Sequence, residues 1–478
     1  MSSESFFAQL PEMVVGQDRP VPTLNGERRF VNLDNASSTP TLQPILTKVC
    51  DFLVHYSNVH RGTGFRSRLA SWAFEEARTI IGRFVNADPE HDVVIFTRNT
   101  TEALNKLARL YPFRTGGIVL TTLMEHHSND LPWRRRCRTV PIETRPDGAL
   151  DLDHLTQLLA EFRGRVELVA VTGASNVTGF VNPIHEIARL AHEAGARVVV
   201  DAAQLAAHRP IDMKKHTDPE HIDFLAFSGH KMYAPFGVGV LVGDRRLLGQ
   251  VEPDLVGGGV VHLVTSDKVF WNELPGREEA GTPAVVGAVA LAAACRLLEK
   301  AGWDRIRKHE GRLAHRMVDC LNKTPGMRIY GATAAQRLED RLPVFAFNIN
   351  GWRHSLVAAI LGCEGAIAVR CGLFCAHPYM LRLLDLDPPT VRKLSQELCT
   401  GNYSNLPGAV RASIGIYNTD EDIDALGEWL QIITAQRYQG RYRLIPSTGG
   451  YAPEPTAFGD YWVEQWTDLS QHFSFDIP

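Results

Sequence analysis

Short apolar runs alternate with longer amphipathic segments between Arg29 and Val289. The runs are rich in β-branched residues and predict strands at residues 93–96, 117–122, 166–172, 196–203, 222–228 and 237–243. Segments with the spacing of helices, such as EEARTIIGRFV and PIHEIARLAHEAG, lie between several of them, and Gly195 is placed to end the second helix. Continuous apolar strands that alternate with helices predict a mostly parallel sheet covered on both faces.

A different pattern begins after this region. Residues 284–323 predict one long helix or two helices in tandem, and the strands and helix that follow predict an α+β domain. We therefore expect an N-terminal segment and large domain at 1–290 and a small domain at 291–440. An aromatic tail occupies 441–478, and its composition suggests that it packs on the body of the protein.

Composition narrows the class of protein. The chain has 478 residues, 44% of them hydrophobic, and a formal net charge of -4. This length exceeds one compact core and predicts two domains. No apolar run of about 18 residues occurs and no signal peptide is evident, so we expect no membrane span and no secretion. The 8 cysteines are scattered, which indicates a cytoplasmic protein without a disulfide framework.

Threonines at two predicted helix starts suit a phosphate group. Thr100 and Thr101 lie where a predicted strand meets a helix, and hydroxyl and N–H groups at a helix N-terminus bind phosphate. Thr282, in EEAGTP before another predicted helix, offers the same group. For all three threonines an ordinary helix cap is the alternative interpretation.

Asp201 and Lys231 follow two successive predicted strands, about thirty residues apart. Asp201 ends VVVD, where α/β proteins bind ligands, although it could also cap a helix. Lys231 follows Ser228 and His230 after a tight turn among small residues, which is unusual for a solvated lysine. Pyridoxal 5′-phosphate (PLP) requires a lysine for its Schiff base, a carboxylate for its pyridine nitrogen and a phosphate cup. The sequence therefore predicts a PLP enzyme that needs no metal.

Ten segments resemble, in order, the class V aminotransferase group of fold-type I PLP enzymes, and most of all its cysteine desulfurase and selenocysteine lyase branch. They are LDNASSTP, SNVHRGTG, TTEALN, MEHHSNDLPW, SNVTG, VDAAQ, SGHKMYAP, AGTP, AVRCGLFCAHP and VRASIGIYNT, between about Phe30 and about Leu430. The resemblance implies an α/β large domain with a mostly parallel, seven-stranded sheet and a smaller α+β domain. It also implies a homodimer with the site at the subunit interface.

The resemblance further implies the contacts of the cofactor. Asp201 pairs with the pyridine nitrogen, and Gln204 binds the phenolic oxygen. The phosphate is held by Ser228, His230 and Thr101, with Thr282 reaching in from the second subunit.

Other residues act on the substrate. His126 stacks on the pyridine ring and assists proton transfer, although it could simply cap a helix. Lys231 abstracts the Cα proton of the substrate. Asn176 lies near the substrate carboxylate. Arg370 grips that carboxylate through a bidentate pair, with a structural salt bridge as the alternative.

The role of Cys375 distinguishes a desulfurase from the other reactions of the family. In desulfurases a cysteine of the small domain takes the substrate sulfur as a persulfide, and AVRCGLFCAHP matches that loop. The attack needs a thiolate, which His377 or Arg370 could favour. Cys371 and Leu373 depart from the expected pattern, and an insertion at 381–408 follows. Cys371 and Cys375 could instead be ordinary buried cysteines. No second paired-Cys or His-ligand motif accompanies them, so we expect no zinc site.

We therefore expect an enzyme that converts L-cysteine to L-alanine and passes sulfur to Cys375, with an acceptor protein a possible partner. A class V aminotransferase, C–S lyase or epimerase that does not use Cys375 is the alternative. A catalytically inactive binding protein with the same fold is the second alternative. Neither end of the chain supplies a DNA-binding module, so no nucleic acid is expected.

Overall fold

The computed structural model describes residues 3–331, 338 and 341–454. Within this range the chain forms two compact units. The first unit contains residues up to 15, 36–308 and 341–342, and the second contains residues 16–35, 309–331, 338 and 343–454. The sequence analysis placed residues 16–35 in the N-terminal domain, whereas here they group with the second unit. The domain bounds at 290 and 440 stay a prediction.

A seven-stranded sheet, named here the large sheet, organises the first unit. Its strands, in spatial order, are Asp92–Thr97, Gly239–Asp244, Phe224–Ser228, Arg197–Asp201, Val166–Thr172, Ile118–Thr122 and Arg138–Ile142. Only Gly239–Asp244 pairs antiparallel with its neighbours, and the remaining pairs are parallel. The α/β prediction of a mostly parallel sheet is confirmed.

Helices cover both faces of the large sheet. Every residue of five of its strands is buried, and such burial requires cover on both sides. The α-helices of this unit are Ser3–Ala8, Gln43–Leu53, Phe65–Phe84, Thr100–Leu110, Leu131–Arg134, Leu152–Glu161, Ile184–Glu193, Arg245–Leu248 and Val285–Ala301. Short 3-10 helices occur at Leu10–Met13, His127–Asn129, Leu205–Ala207, Gly229–Lys231 and Gly276–Glu278. A hairpin of Val261–Val264 and Val269–Trp271 completes the unit.

The second unit contains a four-stranded antiparallel sheet, in the order Met327–Ile329, Val344–Ile349, Ala409–Ser413 and Arg370–Gly372. Its other paired strands are Pro20–Thr23 with Gly26–Arg29, Val31–Asn32 with Ile367–Ala368, and Tyr442–Ile445 with Gly450–Pro453. Its helices are His354–Gly365, His377–Leu383, Pro388–Cys399 and Asp420–Thr434. Helix Trp303–Asn322 begins in the first unit and ends in the second.

The predicted strands of the large sheet are all present, and the remaining elements add detail to the local predictions. Strand Arg138–Ile142 was not predicted, because it is a partly exposed edge strand interrupted by Pro141. Residues 284–323 form two helices, separated at Gly302, whose φ of 84° favours glycine. The insertion at 381–408 contains helix Pro388–Cys399, which Asp387 caps. Of the predicted tail at 441–478, residues 455–478 lie outside the described residues.

Lys106 is a buried cation that pairs with two buried carboxylates. Lys106, on helix Thr100–Leu110, is 1% exposed, and its Nζ lies 2.9 Å from Glu278 and 3.3 Å from Asp254. Both carboxylates are also buried. Two carboxylates in a dry environment repel each other unless a positive charge lies between them, so Lys106 bridges the pair, and Arg109 Nη2 also donates to Asp254 at 2.7 Å.

We expect Lys106→Met to destabilise the protein by about 3–5 kcal/mol, because it leaves the buried carboxylate of Glu278 without its nearest cation, whereas Asp254 keeps Arg109. Urea unfolding of the PLP-loaded protein measures this loss. The control is Lys48→Met, because Lys48 pairs with Asp51 at the surface and should change stability by less than about 0.5 kcal/mol. Equal effects of the two substitutions would contradict the assignment.

Candidate cofactor and substrate site

Four parallel strands of the large sheet end side by side at Thr122, Thr172, Asp201 and Ser228. This row is named here the carboxyl edge. Thr172 is paired directly with Asp201 in the register of the two strands. Because parallel strands end at the same edge of a sheet, the side chains that follow them converge there.

Asp201 is 3% exposed at the end of its strand. Its Oδ1 accepts a hydrogen bond from the backbone N–H of Ala203 at 2.9 Å, whereas the N-cap of the following 3-10 helix Leu205–Ala207 is Gln204. Burial raises the pKa of Asp201, while the Ala203 hydrogen bond and the positive charge of Lys231 act in the opposite direction. The site therefore places a buried carboxyl within electrostatic reach of an amine.

Lys231 ends the single 3-10 turn Gly229–Lys231 that follows strand Phe224–Ser228. The turn is anchored because the backbone oxygen of His230 accepts hydrogen bonds from Thr39 N–H at 2.9 Å and from Ser38 Oγ at 3.1 Å. Burial and the neighbouring charge of Lys231 lower the pKa of His230 to about 4. While Lys231 is free and charged, His230 is therefore a neutral imidazole at pH 7 that can donate one hydrogen bond.

Helix Thr100–Leu110 starts at the same edge. Its N-cap is Asn99, whose side chain accepts from Glu102 N–H at 2.9 Å, so neither threonine is the cap. Ser228 Oγ accepts from Thr100 N–H at 2.7 Å and lies 2.6 Å from Thr100 Oγ1. The helix thus presents its N-terminus beside the strand that leads to Lys231, an arrangement that suits an anion.

Gly239 permits this close approach. A Cβ added at Gly239 would lie 2.6 Å from the Cα of Asn99, a distance that no side chain tolerates. Gly239 is paired with both Thr97 and Ser228. The absence of a side chain therefore lets the start of helix Thr100–Leu110 pack directly against the carboxyl edge.

A chain of polar contacts joins this helix to His126. Thr101 Oγ1 lies 2.7 Å from Ser128 Oγ, which lies 2.9 Å from His126 Nδ1. His126 Nδ1 also accepts from Ser128 N–H at 3.1 Å. When the ring is neutral, its proton is consequently on Nε2. The capping alternative for His126 is observed, and it fixes the ring's tautomer rather than competing with a role in proton transfer.

Glu125, next to His126 in the chain, is a buried acid that the sequence analysis missed. It is 2% exposed, and its oxygens accept from Thr122 Oγ1 at 2.6 Å, Thr172 N–H at 2.8 Å and Asn129 Nδ2 at 2.6 Å. Burial nevertheless raises the pKa of Glu125 to about 8. The segment MEHHSND, in which an acid precedes two histidines, was the signal that could have identified it.

Three other predicted residues have different surroundings. Asn176 is 6% exposed, and Gln204 is buried with its Nε2 donating to the backbone oxygen of Ala36 at 2.7 Å. Thr282 is exposed and does not cap helix Val285–Ala301, whose N-cap is Ala284. Its predicted contact involves a second subunit and stays a prediction.

In the second unit, Arg370 is fixed by Asp34. Arg370 Nη2 lies 2.7 Å from Asp34 Oδ2, and Arg411 Nη2 lies 3.1 Å from Asp34 Oδ1. The salt bridge proposed as the alternative role of Arg370 is therefore present. The Arg370 side chain is nevertheless 54% exposed, whereas Arg411 is 3% exposed. Asp34 and Arg411 were not singled out, although LDNASSTP and VRASIG contain them.

Cys375 lies in a tight loop after strand Arg370–Gly372. Phe374 and Cys375 have φ values of 54° and 53°, a conformation unusual for residues with side chains. The guanidinium of Arg411 lies over the Phe374 ring at 5.1 Å and packs the loop. Cys375 is exposed, which contradicts the alternative that it is a buried cysteine. Cys371 is partly buried, and burial raises the pKa of its thiol.

The first unit fits PLP. A buried carboxyl, a lysine that influences its charge, and a helix N-terminus with hydroxyl groups lie at one sheet edge. These are the three groups that the cofactor needs. The carboxyl edge brings together Lys231, Asp201, His230, Ser228, Thr100 and Thr101, whereas Arg370 and Cys375 belong to the second unit.

Comparisons with known proteins agree with this geometry. A family model described as Aminotransferase class-V matches residues 31–426. A "Probable cysteine desulfurase" of Halalkalibacterium halodurans is 36% identical over 411 residues, covering 84% of this chain and 92% of that protein. A cysteine desulfurase of Shigella sonnei is 35% identical over 411 residues, with the same coverage of 84% and 92%.

The fold is also similar to solved structures. The apo structure of a cysteine desulfurase from Thermococcus onnurineus has a TM-score of 0.77 and 31% identity, covering 90% of this chain and 98% of that chain. The predicted fold-type I class and the predicted family resemblance are confirmed. Among the described residues, no helix has both the length and the apolar character required to span a bilayer.

Glu125 should make the stability of the protein depend on pH. Its raised pKa of about 8 means that the folded chain keeps a proton that the unfolded chain releases above about pH 4.3. The free energy of unfolding should then fall as pH rises from about 4.3 to about 8. We expect Glu125→Gln to lose this part of the pH dependence in urea unfolding, whereas the surface control Glu161→Gln keeps it. An unchanged slope in Glu125→Gln would contradict the expectation.

Proposed function

Because the chain belongs to the class-V aminotransferase family, we propose that it is a PLP-dependent enzyme that removes sulfur from L-cysteine and leaves L-alanine. The observation that carries the proposal is the exposed thiol of Cys375, displayed on a constrained loop beyond Arg370. The names of the similar proteins support the same reaction.

PLP would be held at the carboxyl edge. Lys231 would bind it covalently, Asp201 would face its pyridine nitrogen, and Gln204 would bind its phenolic oxygen. Ser228, His230, Thr100 and Thr101 would surround its phosphate. When bound, PLP supplies an electron sink that stabilises negative charge at the substrate Cα.

Proton movements would be handled by two side chains. Lys231, once displaced by the substrate, would take the Cα proton as a general base. His126 would stack on the cofactor ring with its Nε2–H turned away from Ser128, because Ser128 occupies Nδ1. A fixed tautomer gives a ring one defined donor, which can return a proton to a single position.

The two substrate-binding residues would set the orientation of cysteine. The exposed part of the Arg370 guanidinium would pair with the substrate carboxylate, while Asp34 holds the same side chain in place. Asn176 would contact the same carboxylate. Orientation of this kind lowers the barrier because the reacting atoms are held at the correct distance.

Cys375 would receive the sulfur. Its thiolate would attack the sulfur of the bound cysteine, an S–S bond would form, and the substrate C–S bond would break with its electrons returning to the carbon. The buried guanidinium of Arg411 is close enough to Cys375 for their charges to interact. Release of the persulfide sulfur would require an acceptor, for which a protein is proposed.

The alternatives differ in their use of Cys375. A class V aminotransferase, C–S lyase or epimerase would use Lys231 and Asp201 but would not need Cys375, and an inactive binding protein would turn over no amino acid. The exposure of Cys375 favours the desulfurase. We also propose a homodimer in which the exposed Thr282 contacts the partner subunit's cofactor phosphate.

We expect Cys375→Ala to abolish the production of alanine and sulfide from L-cysteine while the PLP absorbance stays unchanged, because only the sulfur acceptor is lost. Anaerobic turnover with both products quantified measures this effect. The matched control is Cys371→Ala, four residues away and partly buried, which should keep most of the activity. Full activity of Cys375→Ala, or formation of pyruvate in place of alanine, would favour an alternative reaction.

Arg370→Gln should mainly weaken substrate binding. The loss of a charged pair with the carboxylate should raise KM for L-cysteine by at least about tenfold, since hydrogen bonds to charged groups contribute about 1.5–3 kcal/mol. Steady-state kinetics and the spectral shift on cysteine addition measure it. The control Arg382→Gln changes an exposed arginine on helix His377–Leu383 and should leave KM unchanged. An unchanged KM in Arg370→Gln would contradict substrate binding by Arg370 and leave it only the structural role of its salt bridge with Asp34.

A further inference from the structure

Four histidines stack in a row at the opposite end of the large sheet. Their ring centroids are 5.1 Å apart for His91 and His216, 5.0 Å for His216 and His221, and 4.3 Å for His221 and His192. The row lies where strands Asp92–Thr97, Arg197–Asp201 and Phe224–Ser228 begin. This end is named here the amino edge, and it is the far end of the strands that lead to Lys231 and Asp201.

Two histidines of this row converge with Asp223. His192 Nε2 lies 2.8 Å from Asp223 Oδ2, and His221 Nε2 lies 3.4 Å from Asp223 Oδ1. The possible ligand atoms of these three residues all lie within 4.8 Å of one another. Two imidazole nitrogens and a carboxylate oxygen at such distances reach a common ion when the two stacked rings, whose planes differ by 24°, rotate until both Nε2 atoms point at it.

Backbone carbonyls fix the orientation of both rings. His192 Nδ1 lies 2.7 Å from the backbone oxygen of Pro219, and His221 Nδ1 lies 2.9 Å from that of Asp218. A carbonyl oxygen only accepts, so each Nδ1 is the donor and each neutral ring directs an Nε2 lone pair toward Asp223. Histidines that bind metals are held in the same way, with the second nitrogen on a carbonyl or carboxylate.

The environment requires a positive charge between the rings and the carboxylate. Asp223 is 2% exposed, and the two imidazoles are 17% and 13% exposed, so the cluster is shielded but accessible to an ion. Asp223 Oδ2 also accepts a hydrogen bond from the backbone N–H of Val198 at 2.8 Å. Arg197 Nη1, 3.0 Å from Oδ1, further favours the anion. Two lone pairs facing this anion repel it unless a proton or a cation lies between them.

We propose that His192, His221 and Asp223 bind one divalent cation of the zinc class. Two imidazole nitrogens and one carboxylate oxygen are a ligand set that zinc accepts, with water completing a tetrahedron. The ion replaces the protons between the rings and Asp223, and Arg197 keeps its second contact with Asp244 at 3.2 Å. The sequence analysis expected no metal because it looked for paired ligands near the cysteines, whereas folding brings His192 beside His221 and Asp223.

Zinc binding to the PLP-loaded protein tests the proposal. After removal of bound metals with a chelator, competition with a zinc indicator should reveal one site per chain that resists weak chelators. The double variant His192→Gln/His221→Gln should lose it, with an affinity at least about 100-fold lower, because removal of ligands should exceed the 10–100-fold effect of outer-shell changes. The control is His185→Gln, since His185 bonds the Glu220 carbonyl in the same way but is not one of the three ligands.

Cobalt substitution identifies the ligands. Cys50, Cys375 and Cys399 are exposed and could bind zinc, but thiolate ligands give Co²⁺ a strong near-ultraviolet charge-transfer band that nitrogen and oxygen ligands do not. We expect visible tetrahedral Co²⁺ bands without that thiolate band. Circular dichroism and PLP absorbance confirm that each variant is folded before it is compared. Absence of a zinc site, thiolate bands, or equal affinity in the folded double variant would each overturn the proposal.

Discussion

The parallel pairing of the strands of the large sheet is the constraint on which the candidate site depends. Strands Val166–Thr172, Arg197–Asp201 and Phe224–Ser228 are buried along nearly their whole length, so they have room for polar groups only where they end. Parallel direction then makes those ends coincide. Asp201 and the turn with Lys231 are neighbours for this reason, although thirty positions separate them in the sequence.

Polar groups at this edge are stabilised by one another rather than by solvent. The carboxyl of Glu125 takes three hydrogen bonds, one of them from Asn129, whose Oδ1 in turn accepts from Trp133 Nε1 at 3.0 Å. A buried network of this kind is rigid because each member loses a partner if another moves. The segment that holds His126 is therefore fixed to the sheet before any ligand arrives.

The sequence was sufficient for six of the seven strands of the large sheet, because strong apolar periodicity determines them locally. It was insufficient for strand Arg138–Ile142, whose exposed edge position weakens the apolar pattern. It also missed Asp34, Glu125 and Arg411. These residues act through contacts between segments distant in the chain, and periodicity contains no information about such contacts. The histidine row was missed for the same reason.

The two ends of the large sheet differ in the charge that they favour. Helix Thr100–Leu110 begins at the carboxyl edge, where its positive dipole end favours an anion such as a phosphate. Helix Ile184–Glu193 ends at the amino edge with His192 in its last turn, where the negative dipole end favours a cation. An alternation of strands and helices therefore gives one sheet an anion-binding end and a cation-binding end. Asp223 strengthens the preference of the amino edge for a cation. It directly precedes the buried strand Phe224–Ser228, so its carboxylate cannot turn toward solvent.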